Sequence, residues 1–219
     1  MRKITKSAAV VAIFVIFNAG FLTNASAIES STQVVCTETS AVAHREKKVV
    51  VPKVSKSLKN KIITLTTNCG KIVIETNSKN APITTSMITG LINSGFYDLT
   101  ICHRMINSDT ASLLQCGDPT ASGFGGPPFI FKDENLPRQT EKNYPAGTVS
   151  MFYTGNKDQN GSQFYIMAND TTLDPNYSIW GKVVSGLEIV KAVVNSGTEE
   201  NRPVGKPRIK IAIEKATVR

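Results

Sequence analysis

Short β-branched segments bounded by turn residues make up most of the chain after Lys61, and they constrain the fold more than any other feature. The first two, residues 62–66 and 71–75, are joined by Asn68-Cys69-Gly70, whose Asn and Gly tolerate the positive φ angles of a tight hairpin. Further strand candidates are residues 100–105, 113–116, 128–132, 148–151, 163–167 and 178–183. A last candidate alternates Ile209, Ile211 and Ile213 with polar residues, as a half-buried strand does.

Only two segments show helical spacing of apolar residues. One follows Pro82 and ends near Gly95, and the other opens at Gly186. Seven or more short strands with only two helices indicate a closed antiparallel barrel or a sandwich. The 219 residues are enough for one sizeable core, so we expect one domain, over residues 61–219.

The N-terminal segment is predicted to be a signal peptide, residues 1–27. Arg2, Lys3 and Lys6 precede an apolar stretch, and Ala25-Ser26-Ala27 resembles a cleavage site. The apolar span is short for a membrane crossing, which needs about 20 apolar residues. We therefore expect an exported protein, secreted or at the cell surface. An uncleaved N-terminal membrane anchor is the alternative.

Residues 28–60 are polar, then basic, and we interpret them as a tether. The formal net charge of the chain is +8, and removal of Arg2, Lys3 and Lys6 leaves 8 − 3 = +5. Much of this excess lies between Arg45 and Lys61, where Glu46 is the only acid. A weak contact with anionic lipid or cell-wall polymer is one interpretation and a solvated linker is the other. No aromatic residues are interleaved for base stacking, so no nucleic-acid partner is predicted.

The four cysteines allow three disulfide connectivities, and the sequence alone does not choose among them. Thiols tend to pair outside the cytosol. Cys102 and Cys116 flank a predicted hairpin, so this pair is the first hypothesis, with Cys36–Cys69 as its complement. Four small buried thiols are the alternative. No C-x-x-C pair points to redox or zinc chemistry.

Hydrolase and metal chemistry find little support in the sequence. The histidines are His44, in the tether, and His103, and no G-x-S-x-G segment presents a serine. A metal site needs several ligands close together, and one histidine does not supply them. The glycine-rich residues 123–128 contain prolines and lack the Lys-Ser/Thr of a phosphate loop. We therefore predict no metal site and no cofactor.

A series of short strings stands in a fixed order between Lys61 and the C-terminus. They are His103-Arg104, Gln115-x-Gly117-Asp118-Pro119-Thr120, Gly123-x-Gly125-Gly126-Pro127, Glu134-Asn135, Gly147-Thr148-Val149-Ser150-Met151, Asn160-Gly161-Ser162-Gln163-Phe164-Tyr165 and Gly181-Lys182-Val183-Val184-x-Gly186. In this order the strings resemble the cyclophilins, a family of peptidyl-prolyl cis/trans isomerases. The long loop after Arg104, with cysteines at 102 and 116, is similar to an exported bacterial branch.

The resemblance implies a closed eight-stranded antiparallel barrel capped by two α-helices, with a peptide groove on its outer face. It also implies a monomer that binds X-Pro-containing polypeptides.

The resemblance assigns catalytic roles to Arg104 and Gln115, and substrate binding to eight further residues. Arg104 would donate to the proline nitrogen, while Gln115 and Gln163 would orient Arg104 and hold the peptide backbone. The remaining positions are Tyr165, Leu113 and Leu173 in the proline pocket, Tyr177 at its rim, and Phe152, Tyr153 and Thr154 along the groove.

Several positions depart from the family pattern. Ser112 replaces an aromatic pocket floor, Phe152-Tyr153-Thr154 replaces a small-Asn-small run, and Thr172 replaces a tryptophan that many members use to bind cyclosporin. We expect altered peptide preference, poor cyclosporin binding and retained catalysis during the folding of secreted or cell-surface proteins. The alternative is a non-catalytic chaperone or adaptor that uses the same groove.

Overall fold

The β-branched runs form strands at nearly all of the predicted places. The computed structural model describes residues 33–57 and 59–219, so the predicted signal peptide lies outside the described residues. The helices are α1 (Pro82–Asn93) and α2 (Leu187–Asn195). The strands are β1 (Ile62–Thr67), β2 (Gly70–Thr76), β3 (Thr100–Ile101), β4 (Arg104–Asn107), β5 (Ser112–Cys116), β6 (Thr148–Met151), β7 (Phe164–Met167), β8 (Ile179–Ser185), β9 (Val204–Gly205) and β10 (Ala212–Val218).

Both helices begin for reasons that are visible in the chain. Pro82 occupies the first turn of α1, where a missing N–H costs nothing. The next two N–H groups, of Ile83 and Thr84, donate to the Glu134 carboxylate over 3.0 and 2.7 Å. Gly186 precedes α2 at φ +87°, and a Cβ there would lie 2.2 Å from the Lys71 carbonyl oxygen. Only glycine fits at that position.

All ten strands belong to one antiparallel sheet, in the order β3-β10-β1-β2-β8-β6-β7-β5-β4-β9. In a flat sheet with strands about 4.8 Å apart, β3 and β4 would lie roughly 38 Å apart. Yet only Cys102 and His103 separate them in the chain, a link that spans about 11 Å at most. The sheet must therefore roll until its two ends approach each other, as in a barrel.

The rolled sheet separates two apolar clusters. Its inner face carries alternate residues of neighbouring strands, such as Met105 opposite Leu114 and Leu114 opposite Ile166, and these join the large core. The outer face of β5 and β7 carries a smaller cluster around Leu113, Tyr165 and the buried Tyr144. This second cluster is where a groove can form, because it lies outside the main core.

The predicted fold class, an antiparallel β fold with two helices, is confirmed. The sheet has ten strands rather than eight, because β3 and β9, of two residues each, add to it. The predicted strand at 100–105 is divided between β3 and β4. The last predicted strand, on Ile209, Ile211 and Ile213, is shifted, because β10 begins only at Ala212. The predicted strand at 128–132 is wrong: Pro127 and Pro128 cannot donate to a ladder, and only Phe131 makes a bridge, with Asn160.

Residues 33–57, which we call the strap, contain no helix or strand but lie against the domain. Gln33–Arg219 form one compact unit. The Lys210 Nζ donates to the Ala41 carbonyl over 2.8 Å, and the Ser55 N–H donates to the Ser86 hydroxyl over 2.9 Å. Pro52 packs on Gly90 of α1, where an added Cβ would lie 2.3 Å from the proline ring. The predicted tether is thus irregular in structure yet attached along its length.

Two disulfides join the four cysteines, and they are the pair Cys102–Cys116 and its complement Cys36–Cys69. The first closes the segment that contains the β4–β5 hairpin. The second fixes the start of the strap to the β1–β2 turn, where Asn68 also exchanges hydrogen bonds with Thr37. Within the described residues, no helix is both long and apolar enough to cross a membrane.

Candidate active site

The register of three neighbouring strands places three predicted site residues side by side. Arg104 of β4 lies opposite Gln115 of β5, and Gln115 lies opposite Tyr165 of β7. Residues that are directly opposite in antiparallel strands share a face of the sheet. The three side chains therefore form a row on the outer face, beside the smaller apolar cluster.

A continuous chain of hydrogen bonds runs from Arg104 into the protein. The Arg104 Nη1 donates to the Gln115 Oε1 over 3.1 Å and to the Tyr165 hydroxyl over 3.4 Å. The Gln115 Nε2 donates in turn to the Gln163 Oε1 over 2.8 Å. Both glutamines are buried, whereas Arg104 is half-buried. We call Arg104, Gln115 and Gln163 the polar arm, because each side chain fixes the next.

The arm ends on a glycine-rich turn. The Gln163 Nε2 donates to the carbonyls of Gly123 and Gly125 over 2.9 and 3.0 Å, and the N–H groups of the same two glycines donate to the Asp118 carboxylate. A Cβ on Gly125 would lie 2.1 Å from the Asp118 Oδ1, so the turn requires glycine. Burial alone would raise the pKa of Asp118, but hydrogen bonds from Thr120, Gly125 and Gly123 bring it below its usual value.

Aromatic rings form the other side of the site, which we call the aromatic wall. Phe152 packs edge-to-face on Tyr165 at a centroid distance of 5.7 Å, and Tyr177 lies 5.5 Å from Tyr165. Tyr153 packs on Tyr177 at 5.9 Å. Burial raises the pKa of Tyr165 to about 12, so its hydroxyl is neutral at physiological pH and can accept from Arg104. Leu113 and Leu173 complete the wall.

A groove of about 410 Å³ continues from the wall toward the glycine-rich turn. Phe152, Thr154 and Gln163 line it together with the turn itself, and Glu46 of the strap lies at its border. Thr154 is exposed and touches this groove rather than the ring cluster. The structure thus brings nine of the ten predicted site residues into the arm and the wall, with Thr154 beside them.

Comparisons with known proteins bear on this arrangement. Residues 62–218 match the family model described as cyclophilin type peptidyl-prolyl cis-trans isomerase/CLD. The chain belongs to the cyclophilin family.

Two relatives and one solved structure illustrate the range of that family. A Mycobacterium leprae protein named probable peptidyl-prolyl cis-trans isomerase B is 32% identical over 160 residues, covering 68% of this chain and 54% of that protein. The peptidyl-prolyl cis-trans isomerase-like 1 of Gibberella zeae is 37% identical over 153 residues, covering 67% of this chain and 90% of that protein. A Cryptosporidium parvum cyclophilin superposes with a TM-score of 0.63 at 28% identity, covering 74% of this chain and 98% of that one.

The matched lengths are similar, but the share of each relative that is covered differs. The chain spans about half the length of the mycobacterial proteins, 54% and 52% of them.

The positions that depart from the cyclophilin pattern have local structural explanations. Ser112 is buried, and its hydroxyl accepts from the Asn169 side chain over 3.1 Å, so a polar contact occupies the predicted pocket floor. The Thr172 hydroxyl accepts from the Lys142 N–H over 2.9 Å, so this side chain bonds to the adjoining loop. The Tyr153 hydroxyl donates to the Gly155 carbonyl over 2.9 Å, which folds that ring back over the wall.

Sequence reasoning missed the supports of the cyclophilin site. Asp118 was matched only as part of a string, although it organises the glycine-rich turn. Ser162 donates to the Gly117 carbonyl over 2.7 Å and accepts at its own carbonyl from the Tyr97 hydroxyl over 3.0 Å, which fixes the start of β7. An Asp followed by glycines five and seven residues later is the signal that the sequence offers. Among the described residues, no group of three or more His, Cys, Asp or Glu side chains could hold a metal ion.

His103 lies next to the arm but takes no part in its hydrogen bonds. It is 8% exposed, and neither ring nitrogen has a partner among the described residues. Burial lowers the pKa of His103, the nearby Asp118 opposes this shift, and Arg104 adds to it. The ring is therefore neutral at physiological pH.

Proposed function

We propose that this chain is a peptidyl-prolyl cis/trans isomerase that acts on X-Pro bonds of extended polypeptides. The observation that carries the proposal is the guanidinium of Arg104, which Gln115 and Tyr165 hold at the edge of an apolar wall. The names of the relatives support it. So does the Cryptosporidium parvum cyclophilin, which was also crystallised in the presence of the dipeptide Ala-Pro.

The reaction requires little chemical machinery. A prolyl amide rotates over a barrier of about 18–20 kcal/mol because resonance gives its C–N bond partial double-bond character. At the twisted transition state conjugation is lost, and the proline nitrogen becomes a hydrogen-bond acceptor. A donor aimed at this nitrogen binds the transition state more strongly than either planar state, which is the condition for catalysis. The step consumes no electrons and requires no cofactor.

Arg104 can supply that donor. In the described part of the chain, its side chain bonds to Gln115 and Tyr165 through Nη1, which leaves other N–H groups of the guanidinium to donate to the substrate. The half-buried setting strengthens a charge-assisted hydrogen bond relative to one in water. The wall of Phe152, Tyr165 and Leu113 offers an apolar surface for the proline ring. The groove beside it has room for the residues that continue the chain.

The proposal extends to an exported protein that assists the folding of secreted or cell-surface proteins. Two disulfides support this, since such bonds persist in oxidising compartments. The predicted signal peptide supports it as well. Weak cyclosporin binding follows from Thr172 in place of the tryptophan of many family members. A monomer, and a weak contact between the exposed lysines of the strap and an anionic envelope, remain parts of the same proposal.

Exchange NMR on a short Ala-Pro peptide tests the proposed activity. Purified protein at substoichiometric concentration should transfer magnetisation between the cis and trans forms, and the Arg104→Ala variant should lose this transfer. Arg138→Ala is the matched control, because Arg138 is exposed and lies outside the arm and the wall. Saturable peptide binding without exchange in the unmodified protein would instead identify a non-catalytic binding module.

A further inference from the structure

Two adjoining clefts lie next to Arg104 and share no residue with the aromatic wall. The first, of about 360 Å³, borders Arg104 itself. The second, of about 330 Å³, continues toward Lys210. Because both are lined by His103, Ala121 and Lys206, they form one path that leads away from the catalytic arginine. We call this path the basic cleft.

Positive charge predominates along the basic cleft. The charged side chains that line it are four cations and two carboxylates: Arg104, Arg202, Lys206, Lys210, Glu199 and Glu200. Lys210 also donates to the strap at the Ala41 carbonyl. A concave surface lined mainly by one sign of charge concentrates the field and attracts ligands of opposite sign.

The loop that carries Arg202 is fixed rather than free. The buried Thr198 hydroxyl accepts from the Arg202 N–H over 2.8 Å and donates to the Arg202 carbonyl over 2.7 Å. The loop then enters β9, which pairs with β4, and the Asn107 N–H donates to the Pro203 carbonyl over 2.7 Å. Since β4 also carries Arg104, the sheet register sets the backbone of Arg202 relative to the catalytic arginine.

His103 belongs to the wall that both halves of the basic cleft share. Its side chain is buried, and its two ring nitrogens are almost inaccessible and have no hydrogen-bond partner among the described residues. A ligand in the cleft would therefore meet mainly the charged side chains that line it.

We propose that the basic cleft binds an acidic side chain of the substrate polypeptide, one or two residues away from the proline. This inference rests on the proposed function, because the proline must lie at Arg104 for its neighbour to reach the cleft. The cleft borders Arg104, and an extended residue spans about 3.3–3.6 Å, so the nearest neighbours of the proline are the residues that we expect to reach it. The protein then prefers X-Pro segments that carry Glu or Asp on one flank.

Pairs of peptides test this preference. Within a pair, one peptide carries Glu and the other Gln at the same position, and the position is varied in turn over the two residues before proline and the two residues after it. Affinity is read from NMR titration, with the backbone amides of residues 198–202 and 204–206 as reporters. We expect Glu to be preferred over Gln by roughly two- to fivefold at one position, the range of an exposed ion pair, with a smaller ratio at high salt.

Charge reversal gives the decisive comparison. Arg202→Glu should abolish the preference for Glu and favour a Lys-containing peptide at the same position. Lys206→Glu should also weaken the preference for the Glu peptide. It replaces Arg202→Glu in the comparison if that variant does not fold. Lys79→Glu, at an exposed lysine outside the cleft, is the matched control and should retain the preference.

Each outcome decides one question. Equal affinity for Glu and Gln peptides at all four positions, or a preference that survives both charge reversals, overturns the acidic subsite. Exchange measured on the Gln peptides reports the proposed isomerase activity separately. Exchange without a Glu preference therefore removes only this inference, and a Glu preference without exchange removes only the proposed activity.

Discussion

The polar arm and the aromatic wall border the same groove but are held in place by different forces. In the arm, the Gln115 and Gln163 side chains both donate and accept, and Gln163 alone bonds to three partners. In the wall, rings lie at centroid distances of 5.5–5.9 Å with interplanar angles from 35° to 71°. Directional bonds specify one arrangement, whereas ring packing accepts several.

This difference shows why the two regions tolerate change unequally. A substitution in the arm leaves a buried donor or acceptor without a partner, which costs about 1–3 kcal/mol. A substitution in the wall exchanges one apolar surface for another. Phe152 and Tyr153 stand where the family pattern has small residues and Asn, while Arg104, Gln115 and Gln163 match it. The proposed chemistry and the peptide preference are therefore separable properties of this site.

Arg104→Lys should have the largest effect. Lysine keeps the charge but loses the planar fork, so one ammonium cannot both bond to Gln115 and aim at the proline nitrogen. We expect exchange on an Ala-Pro peptide to fall about 100-fold, the scale of one lost transition-state donor. Peptide affinity, measured by titration, should change by less than about threefold because the wall is intact. A variant that kept most of its exchange rate would show that charge alone suffices.

Gln163→Leu should have the next largest effect. The substitution leaves Gln115 Nε2 and the carbonyls of Gly123 and Gly125 without their partner. We expect the free energy of unfolding to fall by about 1–3 kcal/mol. Exchange should fall roughly tenfold, because Arg104 loses its orientation.

Denaturant unfolding and exchange NMR measure the two consequences of Gln163→Leu. Gln139→Leu is the control, since Gln139 is exposed and lies outside the arm. Equal stability of the two variants would mean that the hydrogen bonds of the arm contribute nothing measurable.

Phe152→Ala should have a smaller effect, of a different kind. It removes an aromatic pair worth about 0.5–1.5 kcal/mol and widens the groove. The exchange rate of the Ala-Pro peptide should stay within about threefold of its value with the unmodified protein. The exchange rate of peptides with a bulky residue before proline should rise relative to that of Ala-Pro. The ratio of exchange rates for Trp-Pro and Ala-Pro peptides measures this. A tenfold loss on Ala-Pro would contradict the separation of wall and arm.

The smallest effect should be visible only in acid. The pKa of Asp118 is lower in the folded protein, so between its folded and unfolded values the unfolded chain binds more protons. Its contribution to stability is complete above the unfolded value of about 3.9 and is lost as the pH falls toward the folded value. Asp118→Asn cannot titrate. Below about pH 4 the unfolding free energy of the unmodified protein should therefore decline more steeply than that of the variant.

Denaturant unfolding at several pH values from 6 down to 3 compares the two slopes. Asp109→Asn is the control, because Asp109 is exposed and lies outside the glycine-rich turn. Parallel slopes for Asp118→Asn and the unmodified protein would remove Asp118 as a source of acid sensitivity.

Much of the fold could be predicted from the sequence because local patterns agree with the tertiary structure. The β1–β2 hairpin and both helices follow from apolar periodicity and from turn residues such as Gly70. The short strand β9 could not be predicted, since Val204-Gly205 has no strand signal and pairs only because β4 offers a free edge. The attachment of the strap was also missed, because it depends on distant partners such as Gly90 and Lys210.

The site was predictable in its membership but not in its bonding. The ordered strings pointed to Arg104, Gln115 and Tyr165, yet only strand register shows that the three are neighbours in one row. The role of Asp118 depends on five hydrogen bonds that its carboxylate accepts from backbone and side-chain donors within seven residues. Such local networks are set by loop geometry, which composition and periodicity do not report.

The Cys36–Cys69 disulfide has a consequence for the response of this chain to proteases. The strap is irregular and carries exposed lysines, including Lys48, Lys53 and Lys56, so it offers cleavage sites to a trypsin-like enzyme. A cut at any of these lysines leaves the N-terminal fragment covalently attached to the β1–β2 turn. The cleaved protein would run as a single species without reductant and as two with it. Cleavage of the strap would therefore be visible as two fragments only after the disulfide was reduced.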